Sequence, residues 1–462
     1  MRLAEPLAAP HGNGPREEPP ASGEALRRQI PWHLIAPLAG GIALIVAAQR
    51  WGKALQASGV RLQLGAPPLT GSVDPRLPAA ALGAVLLAAL VIWKAPAIAA
   101  SARWRTLMVV SFIAAGGWAL ALALTDGIGG YLAPVASPAN YLHNVGRVGA
   151  LGPFLRGFVA NLGTYTTHVR AHPPGMLLLV WLLGKAGAPG PGAVAALQLV
   201  GAAAAAPALL VAFRSWAGED RARAAAPFLV LAPFAVMFGS GDALFMGVAA
   251  WSCALLILAT AGGGRAQVVL AAAGGLLLGA ALMLSYGLVL LVLVPAAVIV
   301  ARRRALVGVV ALACASGVLG VFALAGFWWW DGLMGTRIQY AESIARFRPG
   351  GYFLVANLAA LLAAVGPAAW VGLTRLRDRR VWLVSGAALA AIALADASGL
   401  SKGEVERIWL PFMPWLIAGA AWGLVAERDE VNRGANVRTI RIWLAVQVVW
   451  ALGLQLLVRS PW

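Results

Sequence analysis

The sequence predicts an all-α protein that crosses a membrane about thirteen times, and three observations predict it. Of 462 residues, 60% are hydrophobic and only 12% charged, with a mean hydropathy of +0.78; a soluble globular chain carries about 45–50% apolar and about 25% charged residues. The apolar residues come in successive runs close to the ~20 that a spanning helix needs. The basic residues, 36 against 18 acidic ones, gather between alternate runs, as in loops held on one side of a membrane and not as on a nucleic-acid surface. These features exclude a soluble enzyme, a disordered chain and a fibrous repeat. Cys253 and Cys314 lie inside apolar runs and read as small core residues, not as a disulfide.

Residues 1–31 are polar, rich in Pro, Gly and Glu, and end in Arg27-Arg28, which reads as a disordered cytoplasmic tail. The first apolar run is therefore an anchor and not a cleaved signal. Residues 32–462 form one transmembrane domain without an internal repeat. Its spans fall near 33–49, 79–99, 107–125, 192–213, 224–240, 243–261, 267–284, 287–301, 305–327, 352–373, 381–396, 408–425 and 440–458. The run 173–186 has only 14 residues, too few to cross, and charge supports leaving it half-inserted. With an inner N-terminus, 22 of the 36 basic residues then lie inside and 14 outside. A crossing at 173–186 would reverse those numbers and break the positive-inside rule. The clusters assigned inside are Lys94/Arg103/Arg105, Arg214/Arg221/Arg223, Arg302–Arg304, Arg375–Arg380 and Arg428–Arg441.

The longest connection, 126–191, is thereby placed outside. Tyr141, Val145, Val148, Leu151, Leu155, Phe158 and Leu162 recur at spacings of three and four, the stripe of an interfacial helix over 139–162, broken in two at Pro153. A second outer loop, 328–351, opens on Trp328-Trp329-Trp330, an aromatic-belt anchor.

Eight acids fall outside: Asp74, Asp126, Asp242, Asp331, Glu342, Asp396, Glu404 and Glu406. Asp126 ends a spanning run just before Gly127. The helix dipole and the apolar phase both oppose its charge there, which suits a general base; the bland alternative is a solvated interfacial Asp. Asp242 opens a span, where Ser240 or Asp242 suits an N-cap. His168 and His172 are four apart, the spacing of a helical metal pair, but Pro173-Pro174 interrupts the helix, so no metal is indicated. His172-Pro173-Pro174 instead starts a helix rigidly with the histidine at its mouth. In 396–415, Lys402, Glu404, Glu406 and Arg407 crowd the start of a span, and Arg407 abuts the apolar run, where a cation needs a partner or an anion. No phosphate-binding GxxxxGK[ST] and no GxGxxG after a strand is present, so the chemistry uses a substrate activated beforehand.

These motifs, in this order over roughly 107–425, resemble the GT-C superfamily. Its members are multi-spanning glycosyltransferases that use polyprenyl-phosphate sugars, here most like the protein O-mannosyltransferase and aminoarabinose-transferase branch. Asp126 in LTDG holds the place of that branch's acid after a spanning helix. His172-Pro173-Pro174 matches its Lys- or His-Pro-Pro. Ser240-Gly241-Asp242-Ala243-Leu244 matches a (T/S)xDAL stretch, Leu284-Ser285-Tyr286-Gly287 a short outer turn, and Arg407-Ile408-Trp409-Leu410-Pro411-Phe412-Met413-Pro414 an R-x-x-L-P-x-x-P stretch. Gly127 stands where the branch usually has a second acid.

The resemblance implies an inverting glycosyltransferase on the outer face of a bacterial plasma membrane. It would move mannose or a pentose from a polyprenyl-phosphate donor to a hydroxyl of an envelope glycan, lipid or protein, within a lipid bilayer and without nucleic acid; no cofactor is expected, and a divalent metal is compatible but not indicated. Asp126 is the expected base. His172, Asp242 and Glu404 shape the substrate site, and Arg170, Arg337, Arg346, Arg348, Lys402 and Arg407 are the candidate cations for the leaving phosphate. A transporter or flippase for a lipid or polar solute is the alternative, and a scaffold that keeps the fold without the chemistry is a third.

Overall fold

The computed structural model describes residues 31–425 and 433–462; the predicted tail up to residue 30, and Arg428, lie outside the described residues. The chain runs through α1 (Trp32–Ala57), an irregular stretch ending in β1 (Ser72–Val73), α2 (Ala81–Ser101), α3 (Trp104–Ala123), α4 (Gly127–Ala136), α5 (Leu151–Gly157), α6 (Thr167–Arg170) and α7 (Gly175–Lys185). It continues through α8 (Pro191–Ala217), α9 (Glu219–Val230), α10 (Asp242–Ala259), α11 (Gly264–Leu284), α12 (Leu293–Ala301), α13 (Ala305–Leu324) and α14 (Trp329–Glu342). The remainder is α15 (Gly350–Val365), α16 (Pro367–Arg375), α17 (Arg379–Ala397), α18 (Val405–Ile408), α19 (Met413–Val425), α20 (Arg433–Leu457) and β2 (Val458–Arg459).

The protein is an all-α, multi-pass membrane protein. Among the described residues nine helices are long and apolar enough to cross, or ten if α15 and α16, bent by 99°, count as one span. Thirteen is not reached, because several apolar runs fold into shorter pieces. The run 224–240 divides into α9, of 12 residues, and a 3-10 segment that begins at Pro233, and 408–425 yields α19, of 13 residues. At 1.5 Å per residue these are about 20 Å or less, short of the ~30 Å hydrocarbon core. α7, with 11 residues, is likewise too short to span.

α10 and α8 form the centre. Of their apolar windows 78% and 61% are buried, against 11% of α1 and 17% of α13. A side chain at Gly201 would collide with the backbone of Leu244, and one at Gly247 with the carbonyl of Gly201. The two helices therefore pack backbone to backbone, as small residues allow in a membrane. The peripheral helices turn Leu82, Leu86, Val309, Leu312 and Val449 outward, the lipid-facing surface that an all-round apolar helix requires.

The basic clusters meet at one end of the bundle. Arg223 donates to the carbonyls of Ala99 (2.8 Å) and Ala102 (3.1 Å), and Arg214 lies 4.3 Å over the Trp104 ring. Arg221 pairs with Asp378 at 2.6 Å, Trp216 donates to the Arg380 carbonyl, and Arg302 reaches Thr260 at 2.8 Å and the carbonyl of Ser215. Arg441 donates to the Trp93 carbonyl at 2.9 Å. Since α3 leaves this end and α8 returns to it, the whole segment between them begins and finishes at the opposite end, as the charge argument requires.

Within that segment the expected helix 139–162 is a 3-10 stretch over Tyr141–Arg147 followed by α5. The break falls at 148–150, and Pro153 sits in the first turn of α5, where its missing N–H does no harm. Most of the stripe is buried in protein, with Leu151 exposed and Val145 half-buried: Phe158 stacks on Tyr165 at 5.2 Å and meets Phe327 at 5.5 Å. Asn144, away from the stripe in the sequence reading, is buried too and donates to Thr166 at 2.6 Å.

Candidate active site

Two constellations of charged side chains occupy the end opposite the basic clusters. The deeper one centres on Arg407. Its Nη1 donates to Asp242 Oδ2 at 2.7 Å, and its Nη2 donates to Glu404. The side chains of Arg407 and Asp242 are only 6% and 5% exposed, while Glu404 is 29% exposed. A buried ion pair of this kind offsets its desolvation best where the remaining polar atoms are also met. Arg407 Nε has no hydrogen-bond partner among the described residues.

The local sequence explains the geometry. Gly239-Ser240-Gly241 turns the chain into α10 and places Asp242 in its first turn, where a carboxylate is favoured by the helix dipole. The carboxylate does not cap that helix; it goes to Arg407 instead. On the other side, Gly403 (φ 89°) and Glu404 (φ 62°) are successive left-handed residues. For Glu404 that conformation costs about 1–3 kcal/mol, and the surroundings enforce it. Asn357, buried in α15, accepts from Gly403 N at 3.2 Å and donates to Asp396 at 2.8 Å and to the Ser401 carbonyl at 2.6 Å. Arg348 braces the same turn from the carbonyls of Leu62 and Lys402.

His172 lies against this cluster, donating from Nδ1 to the His168 carbonyl at 2.8 Å, with its ring 6.2 Å from Tyr141 and 5.5 Å from Phe245. Burial lowers both His168 and His172, and neighbouring Arg407 adds to it, so both are neutral near pH 7. Burial also pushes the Tyr141 phenol up, with Asp242 adding to it. For Arg407 burial opposes the charge, but Glu404 and Asp242 outweigh it and hold the guanidinium above its ordinary range. Glu406 points the other way, accepting from Thr70 N at 2.8 Å, and burial pushes its carboxyl up.

The second constellation holds Asp126. Arg76 grips it with Nε on Oδ1 at 2.7 Å and Nη2 on Oδ2 at 2.8 Å, and Gln455 lies 3.4 Å from Oδ2. A carboxylate offers about four lone-pair sites, so this grip leaves acceptor capacity on a side chain that is 24% exposed. α4 joins the two constellations. It starts at Asp126, and its Pro134 packs beside Gly239, three residues before Asp242. Eight residues of helix put Asp126 about 12 Å along α4 from Pro134.

Of the residues singled out in the sequence, His172, Asp242, Glu404 and Arg407 come together. Asp126 stands at the far end of α4. Arg337 and Arg346 are exposed, with Met334 and Phe347 beside them and not the residues of the cluster. Arg348 is buried but bound to carbonyls, Lys402 donates to the Ala345 carbonyl at 3.2 Å, and Arg170 meets α14 through its carbonyl, which accepts from Thr336. Sequence reasoning missed Arg76, Tyr141 as a site residue, Asn357 and Trp462, whose ring lies 4.6 Å from the Arg407 guanidinium. Of these only Asn357, a polar residue in an apolar run, carries a signal. Among the described residues no group of three His, Cys, Asp or Glu side chains comes together for a metal ion.

No family model matches the chain, and no curated protein does. Among solved structures, the crystal structure of the Archaeoglobus fulgidus oligosaccharyltransferase in complex with zinc and sulfate is similar over 64% of this chain and 45% of that one, at 17% identity and a TM-score of 0.44. The chain thus spans under half the length of that structure.

Proposed function

We propose that this protein is an inverting glycosyltransferase of the GT-C type that works at the outer face of a bacterial plasma membrane. It takes a sugar, mannose or a pentose, from a polyprenyl phosphate and passes it to a hydroxyl of an envelope glycan, lipid or protein. The observation that carries this reading is Arg407: a buried guanidinium at the mouth of the bundle, held by Asp242 and Glu404, with a further N–H lacking an acceptor. A phosphate leaving group needs a cation and no proton, and Arg binds phosphate with several N–H groups at once. Burial strengthens that attraction.

In an inverting displacement the acceptor oxygen attacks the anomeric carbon from the side opposite the departing phosphate, so base and cation must stand apart. Asp126, held by Arg76 outside the Arg407 ion pair, is the acid left for the base; Glu404, hydrogen-bonded to Arg407 itself, lies on the leaving-group side and serves to orient the cation. Arg76 fixes the Asp126 carboxylate and leaves lone pairs to accept the hydroxyl proton. The prenyl chain has an apolar cavity of about 630 Å³ beside α20, lined by Pro367, Val446, Val449, Trp450 and Leu454. The feature that would favour a transporter is the break between α15 and α16, but Gln447 takes up two of its freed backbone groups, Ala368 N and the Val365 carbonyl.

The test is sugar transfer from a polyprenyl-phosphate donor in membranes. Asp126→Asn is expected to lose ~10²–10⁴-fold, the usual worth of a positioned base, with insertion intact. Asp331→Asn, an exposed acid away from both constellations, keeps full activity. Full activity in Asp126→Asn would remove Asp126 as base.

A further inference from the structure

The segment 458–462 lies across the mouth of the Arg407 site. β2 pairs antiparallel with β1, Ser72 opposite Arg459 and Val73 opposite Val458. The pairing extends through Asp74 N to the Leu457 carbonyl (2.9 Å) and Arg76 N to the Leu456 carbonyl (2.8 Å). An ion pair between Arg459 and Asp74 at 2.7 Å holds it outside, with both side chains about half exposed (59% and 45%). From this anchor the chain turns inward: Ser460 lies 3.7 Å from Met237 Sδ, the Trp462 backbone lies against Gly239, and the Trp462 ring covers the Arg407 guanidinium at 4.6 Å.

The cover is incomplete in polar terms. Arg407 Nε and Trp462 Nε1 are both buried without an acceptor among the described residues. A buried donor left unmet opposes the state that leaves it so. An aromatic face satisfies the charge of a guanidinium but accepts none of its N–H groups in line, whereas a phosphate oxygen does both. The anchor, moreover, is a short edge of two paired residues and two further backbone hydrogen bonds, a two-stranded pairing that is marginal by itself, and its ion pair is exposed and salt-screened.

We propose that residues 458–462 are a strap that occupies the phosphate position on Arg407 with the Trp462 indole and is displaced by the lipid phosphate. This rests on the reading of Arg407 as the phosphate-binding cation. The indole and the phosphate compete for one guanidinium, so the apparent affinity for the lipid phosphate is reduced by the fraction of molecules with the strap open.

The experiment measures binding of farnesyl phosphate to the full-length protein in nanodiscs by calorimetry. Removing a cation–π contact of this kind is worth about two- to thirty-fold, so Trp462→Ala should bind that much more tightly than wild type. Arg459→Ala, which loosens the anchor without touching the site, should shift in the same direction. The pair Val73→Cys/Val458→Cys, oxidised to a disulfide, should bind more weakly and recover on reduction. Equal binding by wild type, Trp462→Ala and the cross-linked form would overturn the strap while leaving the phosphate site standing. Weaker binding by Trp462→Ala would make the indole part of the phosphate site and overturn it as well. No binding by any variant, Trp462→Ala included, would overturn the phosphate reading of Arg407 and the strap with it.

Discussion

Asp242 and Arg407 lie 165 positions apart and bury a hydrogen-bonded charge pair at 2.7 Å. Replacing Asp242 by Asn keeps the size but removes the charge. Glu404 remains on Arg407, so the loss is that of one hydrogen bond to a charged group, about 1.5–3 kcal/mol, read as a lowered midpoint in thermal unfolding of the purified protein. An unchanged midpoint would mean that the pair contributes nothing to the fold. At this scale the sequence is legible where one residue conflicts with its immediate surroundings. Arg407 abuts an apolar run, Asp242 opens one and Asp126 closes one; each is a charge beside hydrocarbon, and each lies in a constellation. What joins them is not legible. The partner of Asp126 is Arg76, in an irregular stretch with no periodicity, and the ring over Arg407 is Trp462. Helical spacing rules reach three or four residues, and these contacts reach 50 and 55.

The break between α15 and α16 shows how an element is decided. Gly366, at φ 79°, turns the chain, and Gln447 on α20 then accepts from Ala368 N at 3.1 Å and donates to the Val365 carbonyl at 2.9 Å. In hydrocarbon these groups have no other partner. Gln447→Leu therefore leaves a buried donor and acceptor unmet, and is expected to cost about 1–3 kcal/mol for each, measured by unfolding in detergent; an unshifted transition would show that water or lipid headgroups reach the break. The run 352–373 reads as one span because hydropathy counts residues and ignores direction. Its Gly366-Pro367 is a turn signal inside an otherwise uniform apolar stretch. The same limit explains 224–240, interrupted by Pro233, whereas runs such as those in α10 and α11, without internal proline, form straight helices as expected.

Across the whole molecule, charge sorts the two ends. The basic clusters that alternate along the sequence converge at one end, and both acid-bearing constellations stand at the other. This predicts orientation in the cell. With Cys253 and Cys314 replaced by Ser, a cysteine at His143 should react with a membrane-impermeant thiol reagent in intact cells, and one at Ser101 should not; both positions are exposed. The reverse labelling would turn the protein over and place both constellations inside. The ladder between β1 and β2 has a consequence for how the protein comes into being. Ribosomes add about 5–20 residues per second, so Arg459 emerges about 20–80 s after its partner stretch at 72–76. Until then that stretch, which carries Arg76 to Asp126 and Thr70 to Glu406, lacks its neighbour. The helices can insert one after another, but the end of the molecule that carries β1 is completed only after α20 has been made. A nascent chain halted anywhere before β2 holds the stretch 72–76 without the strand that pairs with it.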